Sequence, residues 1–166
     1  MKLIVAVCED WGIGAKGDQP FYIPEDLQRF KSMTMGKVVV MGRVTLAALP
    51  KGPLKGRVNV VLTRDADFAA GGAVVCNSLQ GLMQCLSQYD AENIFVIGGQ
   101  QIYELLLDYC DTAYVTKIFA TVPTDRGFPN LDAMGNWQLH SQSEIKGHQG
   151  LKFCYCEYKN NAPYSK

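Results

Sequence analysis

Asp26 is the carboxylate best placed to do chemistry in this sequence, because its neighbours predict a helix with one acid on an apolar face. In the segment PEDLQRFKSMT, Pro24 suits a first turn and apolar residues recur at helical spacing. Positions 23, 26, 30 and 33 then share a face on which only position 26 is charged. One interpretation is an acid that the helix dipole favours in the first turn. The other is a buried carboxyl, with its pKa raised by desolvation, that binds a cationic or amidine-like group.

Three strand ends carry groups that suit phosphates. Gly42-Arg43 joins a predicted strand to a short helix, where glycine permits close backbone approach, the helix start offers free N–H groups and arginine supplies positive charge. Thr63-Arg64 adds a hydroxyl and a second guanidinium, and Gly98-Gly99 separates a strand from the next helix. Each alone could be a simple turn. Three at the carboxyl ends of strands in one sheet indicate an extended ligand with several phosphates, and the two arginines favour NADP over NAD.

The segment from Gly12 to Gly17 matches the pattern GxGxxG after a strand. A dinucleotide fingerprint needs its glycines to lead directly into a helix. The following residues, DQPFYIP, cannot continue a helix from Gly17. We therefore interpret residues 12–19 as a mobile glycine-rich loop able to lie over a bound ligand.

Composition predicts one globular domain spanning residues 1–166. The chain is 48% hydrophobic and 19% charged, and its 16 basic and 16 acidic residues give no net charge. A nucleic-acid-binding protein usually has a basic surplus, so nucleic acid is disfavoured as a partner. No apolar run approaches the length of a membrane span, which disfavours a membrane protein.

The cysteines and histidines predict no metal site. The six cysteines include no CxxC pair and the two histidines are isolated, so we expect reduced thiols and a cytoplasmic protein. Cys154 and Cys156 are expected on opposite faces of a strand, where they could not chelate one ion together.

Strand-like and helix-like segments alternate along most of the chain. We expect helices from Pro24, Arg43, Ser78 and Gln100, between strands such as KVVVMG and NIFVIGG. The last strands, NWQLHSQSEI and LKFCYCEYK, alternate like an antiparallel hairpin joined by KGHQG. The predicted fold class is α/β: a single domain with a mostly parallel central sheet, helices on both faces and an antiparallel C-terminal edge hairpin.

An ordered set of motifs resembles the dihydrofolate reductase family in its short bacterial form. The similarity runs from about Leu3 to Tyr158 and keeps the order and spacing of the family. Its members are Ala6, the loop 12–19, PFYIPEDL from Pro20, MGR with Thr45, LKGR from Leu54, LTR from Leu62, IGGQQIY from Ile97, and Phe128-Pro129.

The resemblance implies an enzyme that uses NADPH to reduce 7,8-dihydrofolate to tetrahydrofolate for one-carbon metabolism. Hydride would pass to pterin C6 while N5 gains a proton, which a water under the loop 12–19 would deliver. Asp26 would hold the 2-amino and N3 groups of the pterin, with Thr116 tied to that network through water. Phe21 and Tyr103 would complete the catalytic group. The other implied substrate contacts are Ile4, Leu27, Phe30, Leu49 and Ile97, with Arg57 on the glutamate α-carboxylate.

The resemblance also implies how NADPH is held. Residues near the nicotinamide would be Ala6, Ile13, Gly14 and Gln19. Phosphate contacts would come from Gly42, Arg43, Val44, Thr45, Thr63, Arg64, Gly98, Gly99, Gln100, Gln101 and Ile102, with Leu62 and Asn77 also at the cofactor. A cis peptide is expected between Gly98 and Gly99.

Two departures from the family keep other functions open. Phe21 stands where tryptophan is usual, so an N–H donor is lost, and Gln19 replaces an apolar residue at the loop tip. A catalytically silent NADPH- or folate-binding module is therefore one alternative. The pyrimidine reductase of riboflavin synthesis is another, although it lacks the Pro-x-Asp-Leu helix. Expected partners are dihydrofolate and antifolate inhibitors, with neither nucleic acid nor membrane, and we expect a monomer.

Overall fold

The computed structural model describes residues 1–15 and 17–164, which contain the alternating strands and helices that the sequence predicts together with short strands that it does not. The strands are Lys2–Val7 (β1), Gly12–Gly14 (β2), Val38–Gly42 (β3), Val58–Leu62 (β4), Ala73–Cys76 (β5), Ile94–Gly98 (β6), Thr112–Ile118 (β7), Arg126–Gly127 (β8), Trp137–Gln142 (β9), Lys146–His148 (β10) and Leu151–Asn160 (β11). The α-helices are Pro24–Thr34 (α1), Arg43–Ala48 (α2), Leu79–Leu86 (α3) and Gln100–Leu106 (α4).

A nine-stranded sheet runs through the described part of the chain, in the order β10-β11-β7-β1-β6-β3-β4-β5, with β9 also paired to β11. Strands β7, β1, β6, β3, β4 and β5 are mutually parallel, whereas β11 pairs antiparallel with β7, β9 and β10. The predicted α/β fold class, with its mostly parallel sheet and antiparallel C-terminal edge, is confirmed.

The central strands are built from β-branched residues buried on both faces. Val38, Val39, Val40 and Met41 of β3 are each at most 2% exposed, as expected for a parallel strand covered on both sides. Helix α1 begins at Pro24, as predicted, and α3 begins after Ser78, whose side chain accepts from the Gly81 N–H.

Three local expectations are wrong. The segment KGHQG is expected to be a loop, but its first three residues, Lys146–His148, form strand β10, which pairs with β11. Only Gln149 and Gly150, both with positive φ, make the turn. Of the residues 12–19 expected as a loop, Gly12–Gly14 instead forms β2, which pairs with β8, and Lys16 lies outside the described residues. Residues two apart in a strand share a face, so Cys154 and Cys156 lie side by side with their Sγ atoms 3.8 Å apart.

None of the helices in the described ranges is long and apolar enough to cross a bilayer. Each of the six cysteines is a free thiol.

Candidate active site

Helix α1 and strand β7 bring Asp26 and Thr116 together across 90 residues of sequence. The Thr116 hydroxyl donates a hydrogen bond of 2.6 Å to Asp26 Oδ1. Thr116 is buried and Asp26 is half-buried. The link expected through water is therefore a direct hydrogen bond in this chain.

Burial raises the pKa of Asp26 above its ordinary value, although its neighbours partly support the charge. Desolvation is the largest effect; the Thr116 hydrogen bond and the Arg29 guanidinium act in the opposite direction, and Glu25 adds to the rise. A first-turn acid exposed to water would not show this desolvation. Half-burial and the hydrogen bond from Thr116 therefore favour the interpretation of Asp26 as a partly desolvated carboxyl, whose charge a cationic or hydrogen-bond-donating ligand would stabilise.

Apolar side chains lie on α1 and on the strands and loop next to it. Phe21 and Ala6 pack with the buried residues Ile23, Ile118 and Phe153. Ile4 is buried on β1, and Phe30 is half-buried on α1. Leu27, which is 37% exposed, leaves apolar surface at the entrance.

A cavity of about 430 Å³ continues from α1 toward the loop after α2. It is lined by Lys31, Met35, Leu49, Pro50, Lys51, Gly52, Pro53, Leu54, Lys55 and Arg57. Leu49 also packs, together with Ile97, against the cluster around Met41. The cavity thus combines an apolar floor with a rim of basic side chains, which suits an elongated anionic group.

Arg57 is fixed at this cavity by two hydrogen bonds. Its Nε donates to the Lys55 carbonyl at 2.9 Å, and Nη1 donates to the Thr34 hydroxyl at 3.2 Å. Partial burial lowers the pKa of the guanidinium, which still carries its full charge at neutral pH. A guanidinium held in this way is preorganised to bind a carboxylate.

The residues predicted to bind phosphate lie at the carboxyl ends of β3, β4 and β6, which are neighbours in the sheet. After β3, Arg43, Val44 and Thr45 begin α2; Val44 is 49% exposed, and Arg43 Nη1 lies 3.9 Å from Asp65 Oδ2. The backbone at Gly42 is closely packed, because a Cβ there would lie 3.1 Å from Cγ1 of Ile102 and that side chain would have to shift.

The corner after β4 is ordered by Asn77. Its Nδ2 donates to the carbonyls of Thr63 and Asp65 at 2.9 and 3.1 Å, and the Asp65 N–H donates to the Thr63 hydroxyl. Leu62 is half-buried at the strand end, and Arg64 is exposed beside it. Asp65 is a residue that the sequence analysis missed, since a lone acid in the loop after LTR gives no local signal of its partners.

At the third corner, the peptide between Gly98 and Gly99 is cis, as expected. The buried ring of Tyr103 packs under Gly98, and its hydroxyl donates to the Ile4 carbonyl at 2.7 Å. The hydroxyl is therefore engaged with β1, and burial raises its pKa strongly. Ile102 packs against the main core, and Gln101 is exposed.

The glycine segment is tied to this corner through β8. Gly12–Gly14 pairs with Arg126–Gly127, whose Gly127 N–H donates to Gln100 Oε1 at 2.9 Å. Ile13 is half-buried and Gly14 buried, whereas Gln19 is exposed and donates its N–H to Asp18.

The residues at these corners fit an extended nucleotide with phosphates. Two exposed guanidinium groups, Arg43 and Arg64, and two hydroxyls, Thr45 and Thr63, converge on one edge of the sheet. Among the described residues, no group of three or more His, Cys, Asp or Glu is placed to hold a metal ion.

Comparison with known proteins identifies relatives over nearly the whole chain. A family model described as dihydrofolate reductase matches residues 1–160. The dihydrofolate reductases of Neisseria meningitidis serogroup B and Mycobacterium tuberculosis are 35% and 42% identical, over 95% and 94% of this chain and 96% and 95% of their own lengths. A solved dihydrofolate reductase from Enterococcus faecalis, complexed with NADP(H) and RAB-propyl, superposes with a TM-score of 0.86 at 29% identity, covering 96% of this chain and 95% of its own.

Proposed function

The chain belongs to the dihydrofolate reductase family, and we propose which of its residues carry out the NADPH-dependent reduction of 7,8-dihydrofolate to 5,6,7,8-tetrahydrofolate. The enzyme is an NADP-dependent oxidoreductase acting on a carbon–nitrogen bond. The observation that carries the assignment of residues is the half-buried Asp26 carboxyl, hydrogen-bonded to Thr116 beside an apolar wall.

Asp26 binds the pterin through its 2-amino and N3 groups. These groups form an amidine-like pair of donors, and a carboxylate accepts such a pair through its two oxygens. Thr116 fixes the carboxyl by donating to Oδ1, which leaves Oδ2 and the remaining lone pairs for the ligand. Ile4, Phe30 and Ile97 flank the rings, and Leu27 closes the exposed side.

Reduction requires a hydride at pterin C6 and a proton at N5. NADPH, when bound, supplies the hydride. The carboxylate of Asp26 orients the pterin and stabilises the positive charge that develops on it. The proton reaches N5 from a water admitted beside the glycine segment that begins at Gly12. Phe21 has no N–H to hold that water, and it serves instead as an apolar wall that excludes other water.

Arg57 binds the α-carboxylate of the glutamate tail, in the cavity that Leu49 lines. Its two hydrogen bonds to the protein support this role, because the guanidinium needs little further ordering when the carboxylate arrives. The apolar floor of the cavity suits the benzoyl ring.

The cofactor is held along the sheet edge formed by β3, β4 and β6. Arg43 and Thr45 bind phosphates, Thr63 and Arg64 bind the 2′-phosphate, and Asn77 positions that corner through its bonds to the backbone. Further contacts come from Ala6, Ile13, Gly14, Gln19, Gly42, Val44, Leu62, Gly98, Gly99, Gln100, Gln101 and Ile102. Tyr103 supports Gly98 from below.

A spectrophotometric assay tests this function. NADPH oxidation should depend on added dihydrofolate, and Asp26→Asn should lower turnover at pH 7 by about 100-fold or more, because the carboxylate charge is lost while the shape is kept. Glu92→Gln, which removes an exposed acid outside the site, is the control and should retain turnover. Oxidation independent of dihydrofolate would defeat the proposal, and would leave a cofactor-binding module instead.

We further propose that the enzyme is a cytoplasmic monomer sensitive to antifolate inhibitors. Free thiols at the six cysteines support a reducing compartment. Light scattering coupled to size exclusion should give one chain's mass, and a dimer mass would refute the monomer.

A further inference from the structure

A charged and aromatic cluster lies behind Asp26, on the side of α1 that faces β11. Its members are Glu25 and Arg29 on α1, Tyr155 on β11 and Lys146 on β10. The guanidinium of Arg29 lies 4.0 Å from the centroid of the Tyr155 ring. The Tyr155 hydroxyl donates to Glu25 Oε2 at 3.1 Å, and Lys146 Nζ lies 3.5 Å from Glu25 Oε1. We call this group the Tyr155 cluster.

The sheet register places this cluster next to the site. Tyr155 of β11 lies directly opposite Thr116 of β7, so the two side chains share one face of the sheet. Thr116 in turn donates to Asp26. Arg29 follows Asp26 by three residues on α1, which puts both on neighbouring positions of the helix surface.

Arg29 is held in place by more than one aromatic ring. It stacks on Tyr155 and lies 6.0 Å from the centroid of Tyr114 on β7. A guanidinium held on a ring cannot swing freely into solvent, so its charge stays close to the carboxyl.

We propose that Arg29, stacked on Tyr155, is a positioning residue that places a fixed positive charge beside Asp26 and helps to keep its half-buried carboxylate ionised. This rests on the proposed role of Asp26. The negative charge of Glu25 opposes the ionisation of Asp26. The Glu25 carboxylate accepts from Tyr155 and pairs with Lys146, and these contacts hold it on the β11 side of α1. The charged and titratable groups around Asp26 are thus Glu25 and Arg29 on its own helix and Tyr155 on β11, with Thr116 as the neutral donor on β7.

The electrostatic contributions agree with this geometry. The Arg29 charge lowers the pKa of Asp26, against the larger rise caused by desolvation, and Glu25 raises it. Burial is the largest cause of the raised pKa of Tyr155. The hydrogen bond and charge of Glu25 and the charge of Asp26 add to the rise, whereas Arg29 lowers it, so the four groups influence one another electrostatically.

Direct titration of the carboxyl tests the inference without turnover. Carbon-13 NMR of the protein labelled at aspartate would follow Asp26, assigned by the signal that Asp26→Asn removes. In Arg29→Gln the proton affinity of Asp26 should rise about threefold to tenfold, because an opposite charge is lost near the carboxyl. In Arg29→Lys, which keeps the charge, most of that change should be absent.

Two further variants complete the experiment. Lys152→Gln removes the same charge from an exposed position of β11 and should leave the Asp26 titration unchanged. Glu25→Gln should shift it the opposite way, toward lower proton affinity, and keeps the inference testable should Arg29→Gln fold poorly. A wild-type titration in Arg29→Gln, or equal shifts in Arg29→Gln and Arg29→Lys, would overturn the role of the charge. Since no substrate is turned over, failure here is separate from failure of the proposed reaction.

Discussion

The pKa of Asp26 is raised by burial even though a hydroxyl and a guanidinium both support its charge. This imbalance has opposite effects on folding and on binding. A carboxyl that loses water without full compensation costs stability, but it gains strongly when a ligand with a positive or donating group arrives. The site residue is therefore expected to be a source of instability in the free enzyme.

The stability of Asp26→Asn should reveal this cost. Because the folded-state pKa lies above the unfolded one, the folded wild type binds more protons in the window between them, and its stability falls as pH rises across that window. Asparagine does not titrate and can still accept from Thr116. We expect the variant to melt at a higher temperature than wild type at pH 7, with the difference shrinking as the pH falls toward the ordinary aspartate value. A variant that melts lower at pH 7 would show that the carboxylate is stabilising.

Arg57 and Arg64 should affect different ligands. Arg57→Ala removes the guanidinium at the cavity and should raise KM for dihydrofolate by about 10- to 100-fold, which is the usual cost of a lost charge-assisted hydrogen bond. Its KM for NADPH should change little. Arg64→Ala is the matched comparison, with KM for NADPH raised instead. Steady-state kinetics with each substrate varied separately would measure both KM values. If Arg57→Ala raised the two KM values equally, Arg57 would be reassigned to the cofactor site.

The sequence predicted single residues best where the signal is local. Asp26 stood out as an acid on an apolar helix stripe, and the exposed Arg43 and Arg64 stood out beside strand ends. The direct Thr116 contact joins residues 90 positions apart, and the Arg29–Tyr155 stack joins α1 to β11. Such contacts depend on strand register, which periodicity does not give.

Among the elements, the corner between β6 and α4 is constrained at Gly98 by both its backbone conformation and a neighbouring ring. Its φ is +119°, and an added Cβ would lie 3.0 Å from Cε2 of the buried Tyr103 ring. We expect Gly98→Ala to lower the free energy of unfolding by about 1–3 kcal/mol, because the backbone conformation is unfavourable for alanine and the ring must move. Urea denaturation would measure the loss.

Gly99→Ala is the control for that prediction. Gly99 has a φ of −83°, and an added Cβ would make an ordinary contact of 3.5 Å with Thr45 Oγ1. Its effect on unfolding should be clearly smaller than that of Gly98→Ala. Similar losses in the two variants would contradict the role assigned to the Tyr103 ring.

Elements with strong periodicity were predicted closely, and short ones were not. Helix α1 spans Pro24–Thr34, the predicted segment, because proline starts it and the apolar spacing sustains it. Strand β5, Ala73–Cys76, has only four residues after two glycines and gave no recognisable pattern. Strands β2 and β8 have only three and two residues, and neither segment has strand character alone. Each is a strand because it pairs with the other.

In the whole molecule, the proposed site consists of two half-sites, one for the cofactor and one for the substrate. The residues proposed for the cofactor follow β3, β4 and β6, whereas Asp26 lies on α1 and Arg57 lies at the cavity, in the loop between α2 and β4. The two half-sites meet near β1, where Ile4 accepts from Tyr103 of the cofactor corner. This division predicts that damage to one half-site leaves binding at the other intact.

Ligand-induced stabilisation of Asp26→Asn tests this division. A ligand that binds only the folded state at about 100 times its Kd stabilises by about 2.7 kcal/mol, which raises the melting temperature. NADPH should stabilise wild type and Asp26→Asn about equally, because the contacts proposed for it are at Arg43, Thr63 and Arg64. A 2,4-diaminopyrimidine antifolate at the same concentration should stabilise wild type and have much less effect on the variant, which lacks the carboxylate for the amidine-like group. Differential scanning fluorimetry would measure both shifts, and loss of the NADPH shift in Asp26→Asn would mean that the two half-sites form one cooperative unit.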